Sequence, residues 1–232
     1  MENQVIRINS QTWRIEEEGV RFFLLTGTKR ALLVDSGMKT RNAKEIAQSL
    51  TDLPVELINT HSDIDHLGSN DEFPFAYMNP AEYAQFHKAQ ARTQTLLPVW
   101  DGDEIDLGER ILTVIALPGH TVGSIALLDN KYRALISGDP IQDGRIFMFG
   151  EYRDMHAYID SLKKLERFKD RFDEIYPSHG SFPLKPDIIA SLLEGAQNIT
   201  AGTATYKAVE FMGKNIWVYN VGAASFLCDP QP

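Results

Sequence analysis

Four residues that can bind a metal ion lie within six positions, directly after a short apolar segment. The apolar segment is Val55–Ile58, and the four residues are His61, Asp63, Asp65 and His66. Its Val, Leu and Ile residues predict a buried strand, and functional side chains collect in loops at strand ends. In an extended segment, residues 61, 63 and 65 point to one side while residue 66 points to the other. The spacing therefore predicts two adjacent metal sites.

Three later strand ends carry residues that could complete such a site. They are His120 after Ile111–Ala116, Asp139 after Ala134–Ile136, and His179 after Glu174–Tyr176. Each lies beside glycine or proline, which allows the sharp turn that aims a side chain across the site. Asp35, in the turn Asp35-Ser36-Gly37, repeats the pattern and is expected to orient a ligand imidazole from behind.

Groups of short strands, each followed by a helix, are predicted along the first two thirds of the chain. Alternating or apolar segments predict the strands Val5–Ile8, Trp13–Glu16, Arg21–Thr26, Ala31–Val34, Phe75–Met78, Ile105–Leu107, Ile111–Ala116, Ser124–Leu128 and Ala134–Ile136. Helical spacing predicts a helix over Arg41–Leu50, and Asn79-Pro80 opens another. We expect Leu97–Gly102 to be irregular.

The last third is more helical. Apolar residues at helical spacing predict helices over Met155–Phe168 and Ile188–Ala196, followed by strands at Ile216–Tyr219 and Ala223–Cys228. No internal repeat or low-complexity linker divides the sequence. We therefore expect a single domain over residues 1–232, of the α+β class with layered αββα packing.

Charge and composition narrow the classes of function. The chain carries 23 Lys and Arg against 32 Asp and Glu, a formal net charge of −9. An acidic chain without a long basic run is unlike a nucleic-acid binder and is repelled by an anionic membrane. One cysteine, no apolar secretory segment and no run of about 18 apolar residues favour a cytoplasmic protein.

The ordered set of turns resembles that of the metallo-β-lactamase-fold hydrolases. The matching pieces are Asp35-Ser36-Gly37, the cluster from His61 to His66, Gly119-His120, Gly138-Asp139 and Ser178-His179-Gly180. The resemblance covers nearly the whole chain. It implies an αββα sandwich with mixed sheets flanked by helices and a dinuclear metal site at one edge.

The resemblance also implies a ligand set. One metal would be held by His61, Asp63 and His120, the second by Asp65, His66 and His179, with Asp139 bridging. The family commonly has histidine where this chain has Asp63, so the first site is richer in oxygen. Zinc is the preferred metal, with iron or manganese as alternatives, because harder ligands favour those ions. The Asp63 side chain is also shorter than a glutamate, and the alternative is an enzyme that holds a single metal ion because the first site is weakly filled.

Metal-assisted hydrolysis follows from this ligand set. A metal-bound hydroxide would attack a small ester, thioester, lactone or phosphodiester, because divalent cations lower the pKa of water to about 7 in zinc enzymes. Asp65 would orient the nucleophile and receive its proton, the role of this position in the family. A bridging Asp139 resembles the thioesterases, lactonases and phosphodiesterases more than the β-lactamases.

The sequence constrains the substrate-binding residues less than it constrains the metal ligands. The aromatic segment after Asp139 offers Phe147 and Phe149 as an apolar wall and Arg153 as a partner for a carboxylate or phosphate, although core packing or a dimer contact is the alternative. Leu96–Trp100 is a second candidate wall. Cys228, in an apolar strand, is read as a small buried hydrophobe.

Two other functions stay open at this point. An iron-dependent redox protein would use the carboxylate-rich site for oxygen or sulfur chemistry, and it would need a separate reductase. A non-catalytic member of the fold would use its acidic surface for a partner. The expected partners are a small-molecule substrate and a second copy in a homodimer, with neither nucleic acid nor membrane.

Overall fold

The computed structural model describes residues 3–88 and 93–230. The chain divides into two compact units, which we describe separately. The first contains Met1–Ile115 and Leu127–Lys131, and the second contains Ala116–Ala126 and Tyr132–Pro232. The expectation of a single domain over residues 1–232 stays a prediction. None of the helices in the described residues is long and apolar enough to cross a membrane.

A seven-stranded sheet forms the larger part of the first unit. Its strands lie side by side in chain order. They are β1 (Gln4–Asn9), β2 (Thr12–Glu17), β3 (Val20–Thr26), β4 (Ala31–Val34), β5 (Val55–Ile58), β6 (Phe75–Met78) and β7 (Thr95–Pro98). Strands β1 to β4 pair antiparallel as a meander, whereas β4 to β7 pair in parallel. All residues of β4 are buried, as expected for a central strand that is covered on both faces.

Two helices connect parallel strands of this sheet. Helix α1 (Ala43–Leu50) joins β4 to β5, since a parallel pair needs a crossover, and it buries Ala43 and Ala47. Helix α2 (Tyr83–Lys88) follows β6 and buries Phe86. Further along the chain, β8 (Glu104–Asp106) pairs antiparallel with β9 (Ile111–Ala116).

The second unit contains the turns that carry His120, Asp139 and His179, together with a parallel strand pair and two packed helices. Strand β11 (Ala134–Gly138) pairs in parallel with β13 (Glu174–Pro177), and β10 (Ile125–Asp129), whose last three residues belong to the first unit, precedes β11 in the chain. Helix α3 (Met155–Glu166) packs against α4 (Ile188–Thr200). Asp154 caps α3, because its carboxylate accepts hydrogen bonds from the first free backbone N–H groups.

A second sheet completes this unit. Its order is β12-β16-β15-β14, with β12 (Arg145–Met148), β14 (Tyr206–Phe211), β15 (Lys214–Val221) and β16 (Ala224–Cys228). Strands β14, β15 and β16 are antiparallel, and β12 pairs in parallel with β16. The turns between the antiparallel strands place Gly213 and Gly222 at positive φ, which glycine adopts without steric cost.

One prediction of local structure was wrong, and two strands were not predicted. Thr95–Pro98 is strand β7, although Leu97–Gly102 was expected to be irregular, because β7 is the edge strand of its sheet and an edge strand tolerates proline. Strand β14 was not predicted, since its Lys and Glu residues mask the alternation on an exposed edge. The segment after Asp139 contains strand β12, which was not predicted as a strand either.

A buried ion pair ties two parts of the first unit together. The Arg110 guanidinium donates to Asp129 Oδ2 from Nε at 3.1 Å and from Nη2 at 2.5 Å, and both side chains are at most 1% exposed. Arg110 also donates to the Thr26 carbonyl at 3.0 Å and the Thr12 hydroxyl at 2.8 Å. These extra acceptors offset the desolvation of the charge.

We expect Asp129→Asn to lower the free energy of unfolding by about 3–5 kcal/mol, because it leaves the buried guanidinium without its counter-charge. Urea denaturation followed by far-ultraviolet circular dichroism measures the change. The matched control is Asp173→Asn, which breaks the exposed pair between Asp173 and Arg133 at 2.8 Å and should change stability little. Equal losses in the two variants would contradict the importance of the buried pair.

Candidate metal centre

The loop segment that carries the first ligands is not extended along its whole length, although an extended segment was expected from the sequence. Ile64–His66 forms a single 3₁₀ turn, and Asp63 precedes it in the β region at φ −69° and ψ 148°. The side chains therefore do not alternate between two sides beyond Asp63, as they would in an extended segment. The turn instead presents Asp65 and His66 side by side, with His66 fully buried and Asp65 partly exposed.

Asp35 fixes this segment by accepting hydrogen bonds from Thr60 and His66. Its Oδ1 accepts the Thr60 N–H at 2.8 Å, and its Oδ2 accepts the Thr60 hydroxyl at 2.8 Å and His66 Nδ1 at 2.9 Å. Asp35 sits at φ +64°, a left-handed conformation that is rare outside glycine. Because a carboxylate only accepts, His66 Nδ1 carries the proton and Nε2 carries the lone pair.

The hydrogen bond between Asp35 and Thr60 also fixes the tautomer of His61. The Thr60 hydroxyl donates its proton to Asp35, so it can only accept from His61 Nδ1, which lies 2.9 Å away. His61 Nε2 is thereby left with its lone pair. The rings of His61 and His66 lie side by side, with centroids 4.1 Å apart, so both lone-pair nitrogens belong to one buried cluster.

Each lone-pair nitrogen in the first unit has a carboxylate oxygen near it. His61 Nε2 lies 3.5 Å from Asp63 Oδ2, and His66 Nε2 lies 3.7 Å from Asp65 Oδ1. Gln85 on α2 donates from Nε2 to Asp63 Oδ1 at 3.0 Å, which leaves the other oxygen of Asp63 toward His61. Two ligands of one tetrahedral zinc ion, at bond lengths of about 2.0–2.1 Å, are about 3.3–3.4 Å apart.

Two glutamate side chains anchor loops of the first unit, and one of them binds Ser62 directly beside His61. Glu82 is fully buried, and its Oε2 accepts the Ser62 N–H at 2.9 Å and the Ser62 hydroxyl at 2.5 Å. Glu17 accepts the backbone N–H groups of residues 38–40 and the Thr40 hydroxyl. Burial raises the pKa of Glu17, but these hydrogen bonds outweigh it and hold the pKa below its usual value.

In the second unit, His120 follows a glycine that no other residue could replace without movement. A Cβ at Gly119 would lie 2.4 Å from backbone atoms of Tyr158 on α3, and Gly119 has φ +133°. This close approach places His120 Nδ1 at 2.9 Å from the Phe147 carbonyl. A carbonyl only accepts, so Nδ1 donates and the lone pair again lies on Nε2.

Asp139 lies between two histidines of the second unit. Its Oδ2 is 3.5 Å from His120 Nε2, and its Oδ1 is 3.2 Å from His179 Nε2. The turn that carries Asp139 is anchored by Tyr158, whose buried hydroxyl donates to the Pro140 carbonyl at 2.7 Å. One carboxylate with an oxygen toward each imidazole is suited to bridge two cations.

The donor set of each unit fits divalent metal ions. Three buried histidines present Nε2 lone pairs, and carboxylate oxygens lie 3.2–3.7 Å from the histidine nitrogens. Imidazole and carboxylate together suit zinc, iron and manganese. The candidate ligands are His61, Asp63, Asp65 and His66 in the first unit and His120, Asp139 and His179 in the second.

The predicted substrate residues lie in β12 and just after it. The ring of Phe147 packs against Phe149 at 5.5 Å and Phe211 at 5.6 Å between centroids, and Arg153 is half-buried. The second candidate wall, Leu96–Trp100, begins within β7 and ends at the exposed Trp100. Burial raises the pKa of the Cys228 thiol to about 12, which makes it inert as expected.

Sequence reasoning missed the residues that position the ligands. They are Ser36, Asn59, Thr60, Ser62, Asn70, Glu82 and Gln85. Asn59 and Ser36 both donate to the His66 carbonyl, at 3.1 Å from Asn59 Nδ2 and 3.0 Å from the Ser36 N–H. The one available signal was position, since Ser36 and Thr60 stand directly beside predicted site residues.

Comparisons with known proteins identify the family and several relatives of this chain. The family model for the metallo-beta-lactamase superfamily matches residues 16–179. Acyl-coenzyme A thioesterase MBLAC2 of Homo sapiens is 26% identical over 210 residues, covering 72% of this chain and 75% of that protein. Hydroxyacylglutathione hydrolase of Bdellovibrio bacteriovorus is 33% identical over 153 residues, covering 62% and 58%. A solved metallo-beta-lactamase from Pontibacter korlensis has a TM-score of 0.72 at 18% identity, covering 85% of this chain and all of that one.

The chain belongs to the metallo-beta-lactamase superfamily, because the matched region covers more than half of its residues. The structural likeness confirms the predicted α+β fold of this type. The family match and the hydrolase relatives confirm the prediction of a metal-dependent hydrolase.

We expect Asp35→Asn to weaken metal binding by about 10–100-fold, because an amide at this position no longer fixes the protonated Nδ1 of His66. Competition with a chromophoric chelator measures the affinity. Asp160→Asn, an exposed carboxylate on α3, is the matched control and should bind metal normally. Unchanged affinity in Asp35→Asn, at an unchanged melting temperature, would refute the positioning role.

Proposed function

We propose that this chain hydrolyses acyl thioesters with the help of divalent metal ions. The observation that carries the proposal is the set of three buried histidines whose Nδ1 protons are committed to acceptors, so that each presents Nε2 as a ligand. The substrate class is supported by the relatives, because both an acyl-coenzyme A thioesterase and a hydroxyacylglutathione hydrolase act on acyl groups carried by a thiol.

The proposed ligand set places His61, Asp63 and His120 on one metal and Asp65, His66 and His179 on the other, with Asp139 bridging. The distances inside each unit support it, since Asp139 has one oxygen toward His120 and the other toward His179. Zinc is the proposed metal, and iron or manganese are the alternatives that the carboxylate-rich set also suits.

When bound, divalent metals lower the pKa of water to about 7 and polarise a carbonyl oxygen. Asp65 is partly exposed, so its carboxylate can reach the attacking water and accept its proton. Water oxygen then bonds to the acyl carbon, the carbon–sulfur bond breaks, and Asp65 returns the proton to the leaving sulfur. The products are a free thiol and a carboxylic acid, which releases its proton to solvent at neutral pH.

The substrate's acyl portion is proposed to contact Phe147 and Phe149, and an anionic group is proposed to pair with Arg153. The half-buried rings of β12 offer apolar surface, and a guanidinium can donate two parallel hydrogen bonds to a carboxylate or phosphate. The single cysteine supports a cytoplasmic location, and size-exclusion chromatography tests the proposed homodimer.

We expect Asp65→Asn to lower kcat for a short acyl thioester by about 10²–10⁴-fold, because the amide cannot accept the proton of the attacking water. Released thiol is followed with a chromogenic thiol reagent at saturating substrate. Circular dichroism and metal analysis check that the variant folds and is loaded.

Asp71→Asn is the control, because this carboxylate is exposed and follows Asn70 outside the proposed ligand set. Full activity in a metal-loaded Asp65→Asn protein would exclude Asp65 as the base. Activity that survives complete chelation, in any variant, would exclude metal-dependent hydrolysis altogether.

We expect the purified chain to bind two equivalents of metal and Asp63→His to bind them as well, since histidine is the common family ligand there. Elemental analysis of protein grown without added metal gives the stoichiometry. One equivalent that rises to two in Asp63→His would instead mean that Asp63 holds its metal poorly. Predominant iron would redirect the proposal toward redox chemistry.

A further inference from the structure

The sheet β12-β16-β15-β14 is curled around an apolar cavity. In the register, Lys207, Val218, Leu227 and Phe147 form one row across its four strands. Phe211 lies four residues further along β14, so in a flat sheet it would be more than about 14 Å from Phe147, three strand spacings away. Their ring centroids are 5.6 Å apart, which requires the edges of the sheet to approach each other.

The cavity inside this curl has a lining of apolar, polar and charged residues. Its volume is about 270 Å³. Val209, Val218 and Leu227 contribute apolar side chains, and successive side chains of a strand alternate between faces, so these residues share one face. Phe211, which also lines the cavity, contacts the ring of Phe147.

Two cationic side chains also line the cavity. Arg145 on β12 and Lys207 on β14 line the cavity, and both are exposed. Within residues 3–88 and 93–230, neither side chain makes an ion pair or hydrogen bond. Nearby, Asn220 and Ser225 satisfy each other through a hydrogen bond of 2.6 Å. The cavity therefore combines an apolar floor with two uncompensated positive charges.

We propose that this cavity, which we call the curled-sheet cavity, binds a single-chain anionic amphiphile, namely a free medium-chain carboxylate. The carboxylate pairs with Arg145 and Lys207, and the alkyl chain lies over Val209, Val218 and Leu227. Positive charge on a chain of net charge −9 marks a place where an anion is favoured. This binding is separate from the proposed hydrolysis and does not depend on which thioester is cleaved.

A second copy of the chain is the less suitable occupant. A two-fold contact through this face brings the same patch of both copies together. Arg145 and Lys207 of one copy would then lie against the same cations of the other, which costs energy. A carboxylate supplies the opposite charge, and an alkyl chain matches the apolar floor.

The test is calorimetric titration of the whole chain with octanoate and decanoate below their micelle concentrations. We expect one equivalent to bind, with an affinity that rises about fourfold per methylene. Arg145→Gln and Lys207→Gln should each weaken binding about twofold to fivefold, whereas Lys163→Gln on α3 should not. Melting temperatures verify that the variants are folded.

Four outcomes would overturn the proposal. Decanol binding as tightly as decanoate would leave no role for the cations. Unchanged affinity in Arg145→Gln and Lys207→Gln would place the ligand elsewhere. Decanoate binding that disappears after chelation would assign it to the metal ligands, leaving the proposed function intact. A dimer that dissociates in the Arg145→Gln variant would make this face an interface between copies.

Discussion

The carboxylate of Asp35 is the interaction on which the first half of the metal centre depends. It accepts three hydrogen bonds, two from Thr60 and one from His66. Through the Thr60 hydroxyl it also decides the tautomer of His61, so one buried anion sets two ligand nitrogens. The left-handed backbone of Asp35 costs free energy, which these hydrogen bonds offset. Because the parallel pairing of β4 and β5 brings their ends together, this contact follows directly from the fold.

In the second unit, a neutral acceptor orients the ligand imidazole. His120 donates to the Phe147 carbonyl, whereas His66 donates to a carboxylate. A charged acceptor makes the imidazole a stronger donor to a cation than a carbonyl does. Phe147 also belongs to the curled sheet, so the backbone that orients His120 is the same strand that lines an apolar cluster. Packing around Phe147 and the orientation of a ligand are thereby coupled.

Sequence reasoning located the strand ends and their polar residues because both are local properties. The strands Ala31–Val34 and Val55–Ile58 were predicted with the bounds that the structure gives. The 3₁₀ turn at Ile64–His66 was missed, since it depends on hydrogen bonds to distant residues. Glu82 and Gln85 reach the ligand segment across 20 and 22 positions, and no periodicity reveals such pairs. Asp129 and Arg110 were missed for the same reason.

Asp63 changes the charge balance of the proposed centre. Three carboxylates, from Asp63, Asp65 and Asp139, would face two divalent ions, so the set would leave one positive charge where the common histidine pattern leaves two. A less positive centre lowers the pKa of water less strongly. Thioester hydrolysis remains feasible with a less positive centre, because a thiolate is a good leaving group and needs little stabilisation as it departs. Gln85 contributes by donating to one oxygen of Asp63, which leaves the second oxygen of Asp63 toward His61.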